Sequence, residues 1–241
     1  MKGVGATASR VLRQLRHDPR TVALLLVVPS VLMALLSWIL DDTNWQRYAP
    51  ALLGIFPMLV MFLVTSVATL RERTSGTLER LLSMPMKRSD FVFGYALAFG
   101  LLAILQAVIV GGLCFGVLGL SMKGPTALVL MIAVLDGLLG TAMGLFVSAF
   151  AQTEFQAVQF MPVALLPQFL LCGLIVPTDD LPTILRVISS LLPLTYAFEA
   201  MQKLAENSTV AAGFWADVAI LVLMGVALLA AGTATLRRRT A

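Results

Sequence analysis

The sequence predicts an all-α integral membrane protein with six transmembrane helices. Of its 241 residues, 59% are hydrophobic and only 12% charged, and the mean hydropathy is +0.93, far from the composition of a soluble domain. Apolar runs long enough to cross the ~30 Å hydrocarbon core recur along the chain, separated by short polar or basic breaks. The formal charge of +4 therefore matters through its distribution between two membrane faces, and no nucleic-acid partner is indicated.

Residues 1–20 carry Lys2, Arg10, Arg13, Arg16 and Arg20, while Val4, Ala8, Val11, Leu12 and Leu15 share one helical face. This reads as a basic interfacial helix whose arginines meet lipid phosphates. No small-residue cleavage site follows it at a fitting distance, so the first span is expected to act as an uncleaved anchor. Residues 21–241 then form one six-span transmembrane domain.

Span 1 is predicted over 21–40, with Pro29 as a potential kink. A polar loop over 41–48 brings Trp45 and Tyr48 to interfacial depth beside Trp38. Span 2 covers 49–70 and span 3 covers 90–120 after an N-cap at Ser89 or Asp90. Lys123, Gly124 and Pro125 make a turn into span 4, over 126–150, where Gly137, Gly140 and Gly144 let a neighbouring helix come close. Span 5, over 155–176, carries Pro162 and Pro167. Between 177 and 213 two short helices, 181–192 and 196–205, read as a re-entrant hairpin at one membrane surface. Span 6 covers 214–236. With six spans both termini share a side, and that side holds thirteen Lys/Arg against four (Arg47, Lys123, Arg186, Lys203) on the other. The asymmetry places both termini and the 71–90 loop in the cytoplasm and the 177–213 hairpin outside.

The densest charge in the chain lies in that 71–90 loop. Leu78, Leu81 and Leu82 fall at i, i+3 and i+4, with Glu72, Glu79 and Arg80 directed elsewhere. Thr74 or Ser75 can start a short helix there, and Pro85 cannot lie inside it. Docking in another protein's groove and resting on the lipid surface both use this pattern.

No phosphate-cradling Gly-x-x-x-x-Gly-Lys-Ser/Thr occurs, nor His-Glu-x-x-His nor Gly-x-Ser-x-Gly. The chain is read as non-catalytic and as binding no cofactor or metal; if ATP is used, another chain binds it. Cys114 and Cys172 lie in apolar segments and read as packing residues. Asp136 is the one acid deep inside a span, where a charge costs on the order of 3 kcal/mol or more. It is a proton relay or substrate contact in one reading, and in the other a structural acid bonded to a neighbouring helix, with Gln106, Gln156, Gln159 and Gln168 as candidate partners. Phe56, Met58, Met61, Phe62, Phe160, Met161 and Phe169 give spans 2 and 5 a surface that suits either varied apolar ligands or lipid.

These features together resemble the permeases of type-2 ATP-binding-cassette exporters, among them bacterial drug-resistance and polysaccharide-export subunits. The matching residues are Glu72, Gly76-Thr77-Leu78-Glu79-Arg80-Leu81-Leu82 and Pro85, then Thr153-Glu154-Phe155-Gln156-Ala157, Gly173 with Pro177, and Pro193-Leu194-Thr195-Tyr196 with Glu199. The resemblance implies that the Gly76–Leu82 region is a coupling helix docking on a separate ATPase, which would hold ATP and Mg. It implies that the 177–213 hairpin, with Pro193, Tyr196 and Glu199, closes the pathway externally. It also implies two permease copies or homologues with two ATPases, set among membrane lipids. The compact loops resemble the drug-resistance branch, whose cargo is hydrophobic small molecules or lipids; polysaccharide exporters of similar size are the alternative. A proton-coupled transporter using Asp136 belongs to another class, as does an intramembrane enzyme, for which Asp136 would be the lone catalytic group.

Overall fold

The structure, a computed structural model, describes residues 2–76 and 88–235. Among the described residues there is no strand. The helices are α1 (Lys2–Arg16), α2 (Pro19–Ile39), α3 (Asp42–Thr74), α4 (Arg88–Gly116), α5 (Thr126–Ser148), α6 (Glu154–Leu171), α7 (Thr183–Ser190), α8 (Pro193–Glu206) and α9 (Phe214–Thr235), with a 3-10 turn at Thr178–Asp180.

The predicted glycine contact organises the bundle. α3 and α5 form its most extensive helix pair. A Cβ at Gly140 would overlap the Met58 carbonyl, and one at Gly144 would stand 2.6 Å from the Phe62 carbonyl oxygen. Without side chains at these positions the backbones touch, and dispersion over a long contact replaces the hydrophobic drive that lipid does not supply. Around this seam pack Trp45, Leu53, Met58, Ile132, Leu139 and the α8 residues Leu194, Met201 and Leu204. A second core joins α1, α2 and α4 through Ala8, Val11, Leu15, Leu25, Phe91, Tyr95 and Phe99.

α2, α3, α4, α5 and α9 are each long and apolar enough to cross a bilayer. α6 has 18 residues, about 27 Å of helix, diluted by glutamines and two prolines. It is not among the helices long and apolar enough to cross, and the bent pair α7 and α8 together forms a further candidate. α6 begins beside the C-terminal ends of α3 and α5, where Glu154 meets Arg71, and ends beside α7, where Ser189 Oγ donates to the Leu171 carbonyl. Exposed side chains on α2 (Leu24, Val27, Val31), α6 (Val163, Leu166) and α9 (Leu223, Val226) suit a lipid surrounding.

Several expectations change. The predicted 41–48 loop is helical, because α3 begins at Asp42 and buries Trp45 in the core. Gln46, on this added turn, holds the loop between α4 and α5: its Nε2 donates to the Gly119 carbonyl at 2.9 Å and its Oε1 accepts from the Ser121 amide at 2.8 Å. At its other end α3 continues past Leu70 to Thr74, so Arg71, Glu72 and Arg73 are helical and Ser75 is the C-cap rather than the start of a new helix. Gly76 follows with φ +72°, the left-handed conformation in which glycine commonly ends helices. The predicted helix with Thr77, Leu78, Glu79, Arg80, Leu81, Leu82 and Pro85 lies outside the described residues.

α1 does not spend its apolar face on lipid. Its small residues let it lie on α4, where a Cβ at Gly94 would stand 2.5 Å from Thr7 Cβ. α2 starts at Pro19 behind an Asp18 cap, whose carboxylate accepts from the Thr21 amide at 3.2 Å and hydroxyl at 2.6 Å. These bonds from Thr21 hold the Asp18 carboxyl below its ordinary range. α2 runs unbroken through Pro29. α4 ends at Gly116 and α6 at Leu171, each short of the predicted span end. The predicted hairpin is an elbow: α7 and α8 meet at 88°, and Pro193 both stops α7 and starts α8, because a proline tolerates the first helical position.

Gly140→Ala is expected to destabilise the protein by about 1–3 kcal/mol or more, because the backbone of α3 must move away. Gly112→Ala, where nothing lies within 4 Å of the added carbon, serves as the control and is expected to be neutral or slightly stabilising. Thermal unfolding of both variants in the same detergent checks this, and equal behaviour of the two would refute the seam.

Candidate functional site

The last turn of α3 radiates polar contacts to three other helices. Arg71 reaches α6 as a two-pronged pair, Nε to Glu154 Oε1 at 2.7 Å and Nη2 to Oε2 at 2.9 Å. Glu72 receives Arg10 of α1, Nη1 at 2.5 Å and Nη2 at 3.1 Å. Arg73 donates through Nη1 to the Ser148 carbonyl at the end of α5, a cation completing a helix C-terminus. Consecutive residues on a helix point about 100° apart, so three in a row reach three neighbours.

These contacts differ in weight. The Arg71 and Glu154 side chains are 60% and 51% exposed, whereas Glu72 is only 10% exposed and Arg10 25%. Water screens the first pair to a small contribution. The second is charge-assisted, bidentate and mostly enclosed, with Tyr95 of α4 beside both partners. The expectation that Arg10 would face lipid phosphate is thereby corrected. Sequence reading singled out Glu72 but not its partner, because 62 residues separate them and no local pattern joins them.

At the opposite end the elbow is tied by short bonds. Thr195 Oγ1 donates to the Ser189 carbonyl at 2.8 Å and Tyr196 OH to the Ser190 carbonyl at 2.8 Å. Lys203 of α8 pairs with Asp217 of α9 at 2.5 Å, and the Gly124 amide donates to the Leu204 carbonyl at 2.8 Å. Of the predicted gate residues, Pro193 is buried at the turn, Tyr196 ties the elbow, and Glu199 is half-buried on the wall of a cavity of about 800 Å³ between α8 and the start of α3. The bonds of Ser189 and Thr195 and the Lys203–Asp217 pair escaped sequence reading, since each is made by tertiary placement.

Asp136, in the middle of α5, is fully buried, and neither carboxylate oxygen has a hydrogen-bond partner. The glutamines expected to satisfy it do not. Gln168 donates to the Ala164 carbonyl at 2.9 Å and accepts from the Leu194 amide at 3.4 Å. Gln156 accepts from the Gln152 amide at 2.8 Å, Gln159 is exposed, and Gln106 is itself buried without a partner. Gly54 makes room for the carboxyl: a Cβ there would stand 2.5 Å from Asp136 Oδ2 and 3.6 Å from Met201 Cε. An orphaned buried acid in a membrane helix is costly and marks a place to look for function.

The predicted aromatic and methionine surface is divided. Met61 and Phe62 are fully buried, facing Gly137 and Gly144 of α5 in the helix seam. Phe56 and Phe169 pack partly buried on the main core. Phe160 joins Leu70, Ala151 and Ala157 near the polar end, and Met161 is half-buried. No group of three or more His, Cys, Asp or Glu suited to a metal occurs among the described residues.

The profile of the ABC-2 type transporter family matches residues 3–205, from α1 through the elbow. Among similar proteins, the probable multidrug ABC transporter permease YbhR of Escherichia coli is 27% identical over 161 residues, covering 66% of this chain and 44% of that protein. The inner membrane transport permease YhhJ of Escherichia coli is 27% identical over 192 residues, covering 76% and 49%. ABC transporter G family member 20 of Dictyostelium discoideum is 27% identical over 154 residues, covering 64% and 21%. The chain thus spans less than half the length of the relatives it matches.

Glu72→Ala is expected to cost about 1.5–3 kcal/mol, the range for hydrogen bonds to charged groups. A double-mutant cycle with Arg10→Ala, read by thermal unfolding in detergent, is expected to return most of that as coupling energy. Additive single losses would show that the pair contributes nothing.

Proposed function

The chain belongs to the ABC-2 type transporter family, and from that premise we propose that it is the permease subunit of an ATP-driven exporter of hydrophobic small molecules or lipids. As a multi-pass member of a family of permease subunits, it calls for association with an ATP-binding-cassette subunit. ATP and Mg are assigned to that subunit, and the permease acts as a pair of identical or homologous chains in the cytoplasmic membrane.

The observation that carries this reading is the position of the polar clamp. It closes the last turn of α3, one residue before the Ser75–Gly76 turn that leads into Thr77-Leu78-Glu79-Arg80-Leu81-Leu82. A push delivered to that segment by an ATPase reaches α3 directly, then α1 through Glu72–Arg10, α6 through Arg71–Glu154 and α5 through Arg73–Ser148. The enclosed Glu72–Arg10 pair carries most of this coupling, and the exposed Arg71–Glu154 pair adds little. ATP-driven closure of the ATPase pair shifts the population from an arrangement open to the cytoplasm to one open outward. In that cycle the elbow with Pro193, Tyr196 and Glu199 is the external gate, and Phe56, Phe160, Met161 and Phe169 border the route, with Met61 and Phe62 reached as α3 shifts along α5.

The bias of Lys and Arg toward the side of the termini supports placing the clamp in the cytoplasm and the elbow outside. Multidrug export is named for the relatives YbhR and YbhS, and it favours drug-like cargo here.

Copurification of the partner ATPase with wild-type permease, compared with Glu79→Ala plus Leu82→Ala at equal membrane insertion, tests the reading. The double variant is expected to lose the ATPase, or to retain it and lose ATP-dependent transport. Unchanged binding and transport would overturn the assignment. Transport that follows a proton gradient and ignores ATP would transfer the mechanism to Asp136.

A further inference from the structure

Asp136 and the cavity at the elbow are neighbours, and neither is explained by the polar clamp. The cavity, about 800 Å³, is lined by Tyr48, Pro50, Ala51, Phe198, Glu199 and Met201, among others. One helical turn beyond Pro50 and Ala51 along α3 lies Gly54. There Asp136 Oδ2 and Met201 Cε converge on the space that the missing side chain leaves. Met201 therefore forms the floor of the cavity, and the orphaned acid stands behind it. Methionine is unbranched and flexible, which suits a floor that must yield.

The charges of the cavity are not balanced. Lys203 is occupied by Asp217 at 2.5 Å, and Arg47 is exposed and lies 5.5 Å over the Tyr48 ring. Glu199 makes no ion pair or hydrogen bond among those of the described residues, and Asp179 adds a further carboxylate at the rim. Behind the floor, Asp136 has no cation and no donor from the chain. A buried carboxylate is stable as an ion only beside a positive charge. The Tyr48 ring already accepts a guanidinium on its face, as an aromatic wall for a cation does. The wall mixes apolar groups with Asp179, Glu199 and Glu206 against Arg47 and Lys203, so acids outnumber cations on it.

The geometry points to a binding site for an ammonium-bearing amphiphile, with its apolar body between Tyr48 and Phe198 and its cationic head at Glu199 and, once Met201 swings aside, at Asp136. This rests on the exporter reading for its place in a transport cycle, but the binding itself does not require the ATPase. The ammonium group belongs either to a soluble amine or to an ethanolamine lipid headgroup.

The test uses the full chain in phosphatidylglycerol nanodiscs and a fluorescent alkyl-trimethylammonium probe, with the uncharged tert-butyl isostere as reference. Wild type is expected to prefer the charged probe by tenfold or more. Asp136→Asn and Glu199→Gln are each expected to reduce that preference at least fivefold, leaving binding of the isostere unchanged. Should Asp136→Asn fail to fold, Met201→Phe, which blocks the floor, must give the same loss. Equal binding of probe and isostere by wild type, or undiminished preference in the variants, overturns the site. Association with the ATPase, measured separately, decides the exporter reading whatever the probe does. Competition by added phosphatidylethanolamine identifies the lipid as the source of the ammonium, and its absence identifies a soluble amine; either result requires the charged-probe preference already stated.

Discussion

The backbone contact between α3 and α5 is the interaction on which the other features depend. Gly140 and Gly144 allow the α3 carbonyls at Met58 and Phe62 to touch α5, and Gly54 on the opposing helix accepts the Asp136 carboxyl. In a solvent as apolar as the side chains themselves, close contact over many turns is what selects one helix pairing over another. With that seam set, the C-terminal ends of α3 and α5 lie at one level, and Arg73 can reach Ser148.

The two ends of α3 then have different characters. Toward Thr74 the helix meets its neighbours through charged contacts, of which the Glu72–Arg10 pair is mostly enclosed and the Arg71–Glu154 pair exposed. Toward Asp42 it borders a cavity whose walls include α8 and the start of the 3-10 turn at Thr178 and Asp179. A stiff helix about 50 Å long, from its 33 residues at 1.5 Å each, joins the two. The helix thereby connects the polar contacts at one end of the bundle with the cavity at the other.

Some of the buried polar groups left without partners lie on the two seam helices and on α4 beside α5. Thr65 and Thr69 on α3, Asp136 on α5 and Gln106 on α4 have unsatisfied atoms, although native proteins satisfy nearly all such groups.

The membrane class, the approximate spans, the glycine face of α5 and the short helices before α9 were legible in the sequence, because each follows from local hydropathy or from periodicity within one element. Glu72 and Asp136 stood out because charge is conspicuous against apolar surroundings. Tertiary structure decided what these residues touch: Arg10 rather than water for Glu72, and no partner at all for Asp136. It also decided that α3 absorbs both the Asp42–Tyr48 segment and Arg71–Thr74, since burial of Trp45 and the contacts of the last turn favour helix where composition suggested loop. Contacts between residues 62, 75 or 83 positions apart leave no trace in a local pattern. They exist because the helix seam brings distant helix ends to one level, and only the packed chain specifies that.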